Sequence, residues 1–273
     1  MATPPRAAPR FCRDPALPFA ESRRAVGSRA CYRPHTHATL SIGAVDEGAS
    51  VFTSRGHSAR IGPGSLVIVP AGCVHACNPA PGMRWSYQML HLDPDWVAGV
   101  LARSGSCAAP WRHAWVVHHA PAYAAFCALN QRLFSEADSP DKAQAIEHFI
   151  TEGLWRDGKP LVLAPNTASQ PLGRVLALLH RHHADPLPLS MLAQAAGMAP
   201  RTLARAFRAA TGLTPHAYQL DLRINAARGL LGAGGAPADV AQALGFYDQS
   251  HFQHAFKQRV AATPGVYRRT AAP

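Results

Sequence analysis

Between residues 39 and 118 the apolar positions fall in short alternating or block-like runs separated by turn residues. Thr39–Val45, Ser50–Ser54, His57–Ile61, Ser65–Val69, Trp85–Leu92 and Trp115–His118 have the length and the β-branched or aromatic content of strands. Gly-Pro-Gly at 62–64 and Pro-Ala-Gly at 70–72 supply tight connections, and the spacing predicts an antiparallel sandwich or small barrel. The period then changes to that of a helix. Tyr123–Glu136 places Phe126, Leu129 and Leu133 on one stripe, and Asp141–Arg156 does so with Ile146, Phe149, Ile150 and Leu154. Ser139-Pro140-Asp141 reads as the turn between these helices. Their stripes suit packing on the strands and a homodimer interface across 123–156 equally well.

Residues 1–30, rich in Pro, Arg and Ala, read as an arm outside the fold, and 157–171 as a linker. From 172 to the end the pattern is helical. The expected architecture is therefore α+β in two domains: an antiparallel barrel with a helical pair over 31–156, and an all-α domain over 172–273.

The helical part contains one pattern twice. Leu192-Ala193-Gln194-Ala195-Ala196-Gly197 leads to Phe207, Gly212, Thr214-Pro215 and Tyr218. Val240-Ala241-Gln242-Ala243-Leu244-Gly245 leads to Phe256, Ala261, Thr263-Pro264 and Tyr267. Each copy reads as a helix-turn-helix, over about 189–211 and 238–260, with glycine at the turn. Leu192, Leu203 and Phe207 are expected inside the first copy, and Val240, Phe252 and Phe256 inside the second.

The outward positions of the second helices are then Pro200, Arg201, Thr202, Arg205 and Arg208 in the first copy. In the second they are Gln249, Ser250, His251, Gln253, His254 and Lys257. Arginine reads guanine, glutamine reads adenine, and serine or histidine reaches bases or phosphates. The joining segment 215–231 would span about 25 Å as a helix, suited to two units roughly one DNA turn (about 34 Å) apart.

Charge supports this. The chain of 273 residues carries a formal +11, and residues 171–273 hold 11 Lys/Arg against 4 Asp/Glu. Such a segment suits a polyanion. No run approaches the 18 or so apolar residues of a membrane span, and residues 1–30 lack a secretory core, so a cytoplasmic protein without membrane contact is expected. Its cysteines (12, 31, 73, 77, 107, 127) are then expected to be reduced.

Residues 187–269 resemble the DNA-binding domain of the AraC/XylS family of bacterial transcription regulators. Gly245-Phe246, Gln249-Ser250, Phe252, Phe256-Lys257, Thr263-Pro264 and Tyr267-Arg268 carry the resemblance. It implies double-stranded DNA and RNA polymerase as partners and activation as the usual mode. It places Arg201, Ala204 and Arg205 of the first unit, and Ser250, His251 and His254 of the second, towards bases. Three departures stand out: Ala204 offers no polar contact, His254 replaces a frequent arginine, and Val260-Ala261 replaces Phe-Gly. The second unit is therefore expected to contribute less specificity.

Residues 31–92 resemble the cupin barrel that precedes such domains: Gly64, Pro70, Gly72 and His75 fit one motif, while His35 and His37 fit the other without its glutamate. The resemblance implies a small-molecule effector, for which His35, His37, His75, Trp85 and Tyr87 are candidates. Strand periodicity puts His35 with His37, and Cys73 with His75 and Cys77, so these five are also metal candidates. The expectation is no cofactor and no enzymatic activity. The alternatives are a three-histidine cupin enzyme, or a metal or redox sensor, fused to a DNA-binding domain.

Overall fold

A computed structural model of the chain describes residues 9–54, 56–105, 113–152, 161–162 and 170–269. Two antiparallel sheets form the N-terminal part. The larger has the order β1 (Arg10–Arg13), β2 (Ala20–Ser28), β8 (Trp85–Leu92), β3 (Leu40–Gly48), β6 (Ser65–Val69), β9 (Trp115–His118) and β10 (Leu161–Val162). The smaller is β5 (His57–Ile61), β4 (Ser50–Ser54) and β7 (His75–Pro79). The sheets face one another without closing into a barrel.

Alternation along β8 explains how one strand serves two cores. Leu90 and Leu92 join the cluster beneath α1 (Pro94–Arg103), α2 (Ala120–Leu133) and α3 (Ser139–Glu152), whereas Trp85 and Tyr87 join Val45, Phe52 and Val69 between the sheets. The stripes of α2 and α3 are buried on the large sheet: Phe126, Leu129, Leu133, Ile146, Phe149 and Ile150 all belong to its cluster. Leu154 lies outside the described residues.

Two expectations are corrected. Residues 10–13 and 20–28 are not an arm but two strands, because Ser22, Arg23 and Ala25 turn inward, and β2 pairs with β8 from Ala20 opposite Leu92 to Ser28 opposite Trp85. Within the expected linker, Leu161 and Val162 pair with Val116 and Trp115 of β9; most of the rest lies outside the described residues.

The C-terminal part is all helical: α4 (Gln170–Arg181), α5 (Leu189–Ala196), α6 (Pro200–Thr211), α7 (Pro215–Gly232), α8 (Pro237–Ala243), α9 (Gln249–Val260) and α10 (Pro264–Arg269). Gly197 and Gly245 occupy the left-handed region (φ 66° and 68°) at the two helix-turn-helix turns. A Cβ on Gly245 would lie 2.1 Å from the Ala184 carbonyl oxygen, so the second turn admits no side chain. Thr214 and Asp248 cap α7 and α9 by accepting from Ala217 N and His251 N. No helix among the described residues is long and apolar enough to cross a membrane.

Candidate effector cavity and nucleic-acid interface

The residues expected to meet DNA are all exposed. Pro200, Arg201, Thr202, Arg205 and Arg208 are exposed along α6, and Gln249, Ser250, His251, Gln253, His254 and Lys257 along α9. The opposite faces carry the cores: Leu203 and Phe207 are buried with Leu192 under α5, and Phe252 and Phe256 with Val240 under α8. Tyr247, in the turn before α9, is 93% exposed and was not singled out by the pattern. An aromatic with its ring in solvent beside a recognition helix is the available signal for it.

The effector candidates also converge. A cavity of about 60 Å³ between the sheets is lined by His35, His37, His75, Cys77, Trp85, Tyr87, Met89 and His91. Cys73 is buried but not on this wall; its carbonyl accepts from His75 Nδ1 at 3.0 Å, and its thiol meets Ser54 Oγ at 3.6 Å. Burial pushes the Cys77 thiol up to about 12, which disfavours its thiolate. Cys12, Cys31, Cys73, Cys77 and Cys127 are free thiols, and Cys107 lies outside the described residues.

The imidazoles are packed against one another, with ring centroids 4.6 Å apart for His35–His75, 4.9 Å for His35–His37 and 4.7 Å for His37–His91. Burial lowers His75 to about 4 against its carbonyl bond. Burial, with neighbouring imidazoles or guanidiniums, lowers His35, His37 and His91 well below the ordinary range. All four are neutral at pH 7. Hydrogen bonds then assign tautomers. His35 Nδ1 donates to Arg33 O at 2.8 Å and His75 Nδ1 to Cys73 O, which leaves each Nε2 as a bare acceptor. His37 Nδ1 accepts from Arg228 Nη1 at 3.0 Å, so its Nε2 carries the proton.

Three lining residues escaped the sequence reading: Arg23, Tyr32 and Arg259. Arg23 donates at 2.6 Å to both the Tyr32 and Tyr87 hydroxyls. Arg259 arrives from α9 of the other domain. It lies seven residues after Phe252 on the buried stripe, and a cation on an apolar face was its signal.

Helix α7, which joins the two helix-turn-helix units, is docked on the rim of this cavity. Thr36, between His35 and His37, donates to Asp221 Oδ2 from its backbone N (2.8 Å) and hydroxyl (2.5 Å). Asn225 donates to the Thr36 carbonyl at 3.2 Å. One turn on, Arg228 binds His37 and Glu21 (2.7 Å), while Tyr267 and Arg13 also reach Glu21 at 2.6 Å each. Burial alone would raise the Glu21 carboxyl, but the guanidiniums of Arg228 and Arg13 outweigh it and hold the group well below the carboxylate range. Among the described residues the one ion pair of Asp221 is with Arg259, at 3.5 Å, and burial raises its carboxyl to about 6 despite the Thr36 donors and the charges of Arg259 and Arg228. Asp221, Asn225 and Arg228 share one helical face by their i, i+4, i+7 spacing.

Comparison with known proteins agrees with both halves. An AraC-like ligand binding domain model matches residues 24–152, and a helix-turn-helix domain model matches 192–270. An uncharacterized HTH-type transcriptional regulator of Bacillus subtilis, YbfI, is 27% identical over 241 residues, 87% of either chain. The transcriptional activator NphR of a Rhodococcus species is 38% identical over 127 residues, 44% of this chain and 35% of that one. The Escherichia coli transcriptional activator RhaS is 37% identical over 100 residues, 36% of each. Among solved structures, ToxT of Vibrio cholerae superimposes with a TM-score of 0.60 over 93% of this chain and 98% of its own, at 10% identity, which shows the shared fold. The chain belongs to the AraC family of transcriptional regulators, with an N-terminal ligand-binding domain ahead of its DNA-binding helices.

Proposed function

We propose that this regulator is an effector-controlled activator. It grips two successive major-groove segments of DNA with α6 and α9, recruits RNA polymerase, and answers to a small molecule seated in the cavity between its sheets. One observation carries the reading: α7, which sets the spacing of the two recognition helices, is tied by Asp221 and Arg228 to Thr36 and His37 on the cavity rim. A ligand that displaces His35 or His37 shifts the segment that holds α7, and so alters how both units meet DNA. At about 1.5 Å per residue the 18 residues of α7 span roughly 27 Å, suited to adjacent groove segments.

The DNA-reading roles belong to this proposal: Arg201, Arg205 and Arg208 anchor the first unit, and Gln249, Ser250, His251, Gln253, His254 and Lys257 form the lighter second grip, flanked by Tyr247. Action in the cytoplasm and pairing of two chains through α2 and α3 belong to it as well. A groove beside α2 and α3 mixes apolar residues such as Ala125 and Ala145 with Arg132, His148 and Glu152, and is the surface this pairing would use. One ToxT structure contains a bound unsaturated fatty acid. The cavity here is far below the roughly 300–1,000 Å³ of pockets for larger ligands, so a smaller effector fits it. Transcription in vitro from promoters flanking the gene tests the proposal. The chain should raise transcript yield and an effector should change that yield; a fall without effector identifies a repressor.

A second reading, a metal-responsive regulator or three-histidine enzyme, has one observation in its favour. One nitrogen from each of His35, His37 and His75 lies within 4.8 Å of the others. Among the described residues no carboxylate lines the cavity and two guanidiniums do, which disfavours a dication. Metal analysis of the purified chain decides it: about one equivalent supports a metal site, and less than about a tenth ends it.

A further inference from the structure

Arg23 is a buried cation with no acid paired to it among the described residues. Among the described residues its hydrogen-bond partners are the two tyrosine hydroxyls, and its Nε has none. Buried charges are ordinarily paired, and a guanidinium is built for a two-oxygen anion. Arg259 brings a second positive charge to the same wall, and its pairing with Asp221 is loose, with its Nε lacking a hydrogen-bond partner. Elsewhere on the wall, His35 and His75 present bare Nε2 atoms, which need a donor. At roughly 10–15 Å³ per water-sized group, the cavity admits about four to six non-hydrogen atoms.

We propose that the cavity is a binding site for a short hydroxycarboxylate of the size of glycolate or lactate. Its carboxylate meets Arg23 and Arg259, and its hydroxyl donates to His35 or His75. The proposal rests on the cavity being the effector site and names the chemistry of that effector. It also supplies a direct route to DNA. Arg259 belongs to α9, the second recognition helix, so an anion that draws Arg259 away from Asp221 acts on that helix without an intermediary.

The test is calorimetric titration of the full chain at pH 7 with glycolate, L-lactate, propionate, lactamide and Zn(II) in turn. Glycolate or lactate should bind one to one. Propionate, which lacks the hydroxyl, should bind at least about tenfold more weakly, and lactamide, which lacks the charge, should not bind. Arg23→Lys keeps the charge and loses the fork, and Arg259→Gln removes the contribution of α9. Each should weaken lactate about tenfold or more while circular dichroism stays that of the folded chain.

Four results overturn the proposal: no saturable binding of either hydroxy acid up to about 10 mM, equal binding of lactamide, an unchanged affinity in Arg259→Gln, or stoichiometric Zn(II) uptake in place of the acids. DNA binding by the same preparation is measured alongside. Retained DNA binding without hydroxy-acid binding removes this proposal and leaves the effector-controlled regulator standing.

Discussion

Ala261 ends α9 in the left-handed region with φ 56°, and among the described residues no other non-glycine has a positive φ. The corresponding end of α6 is Gly212, at φ 85°. An L-residue with a Cβ is strained there by about 1–2 kcal/mol, offset in part by the entropy glycine loses on folding. Ala261→Gly should therefore raise stability by roughly 1 kcal/mol, read as a melting temperature higher by a few degrees; an unchanged melting curve would show the strain to be absent. Asp221 gives a second residue-scale prediction. Its carboxyl is raised from the ordinary 3.8 to about 6, so between those values the folded chain keeps a proton the unfolded chain has shed. That contribution to stability is present at lower pH and is lost as pH rises through about 6. The groups facing Asp221 are Thr36, Arg259 and Arg228. Melting followed over this window should lose part of its slope in Asp221→Asn; an identical slope would mean that Asp221 does not titrate there. His35 and His37 lie outside any strand, held by one isolated bridge from His35 to His75, although strand alternation was expected to pair them; Trp85 and Tyr87 on β8 were legible from that alternation. Arg23 was not, because β2 lay in a segment whose Pro and Arg content masked a strand with inward polar residues.

At the element scale the clearest signals were the longest ones. Five strands, from Ser50–Ser54 to Trp115–His118, have the bounds their turn residues predict. The helical repeat was equally legible, since glycine, Thr-Pro and buried Phe recur at matching places. β7 begins only at His75, so the strand expected to carry Cys73 with His75 and Cys77 leaves Cys73 off the cavity wall. The docking face of α7 was hidden because Asp221, Asn225 and Arg228 are polar, and a polar stripe on a helix is ordinarily solvated. Only the partner surface reveals that it is buried. Two predictions belong here. Arg205→Ala on α6 should weaken a cognate site by about 1–3 kcal/mol if Arg205 reads a base, checked by fluorescence anisotropy against a scrambled duplex; equal affinity would remove it from the interface. Gly245→Ala forces a Cβ against the Ala184 carbonyl and a positive φ on alanine. It should lower the melting temperature by more than the surface change Ala243→Ser, and an equal effect would show that the turn can relax.

Across the whole molecule the two domains meet along a polar seam flanked by apolar contacts, with Phe11 and Val74 of the sensor packed into the helical cores. Glu21 from the sensor, Arg228 and Tyr267 from the helical domain, and Arg13 from the first strand form one network beside the cavity. Such a seam is selective: it holds in one geometry and fails when a member is displaced. Glu21→Ala, which removes the carboxylate shared by the half-buried guanidiniums of Arg13 and Arg228, should cost about 3–5 kcal/mol, seen in chemical denaturation as an earlier or split transition. An unchanged midpoint would mean that the network does not hold the domains together. The central claim is that the sensor cavity governs the grip on DNA through α7. Hydroxyl-radical footprinting of the full chain on DNA flanking its gene tests this most directly, with wild type compared with Arg228→Met. Wild type should show two protected segments about one helical turn (roughly 10 base pairs) apart, with a changed balance between them once Arg228 no longer binds His37 and Glu21. A wild-type footprint without paired protection, or one that Arg228→Met leaves identical, would contradict it.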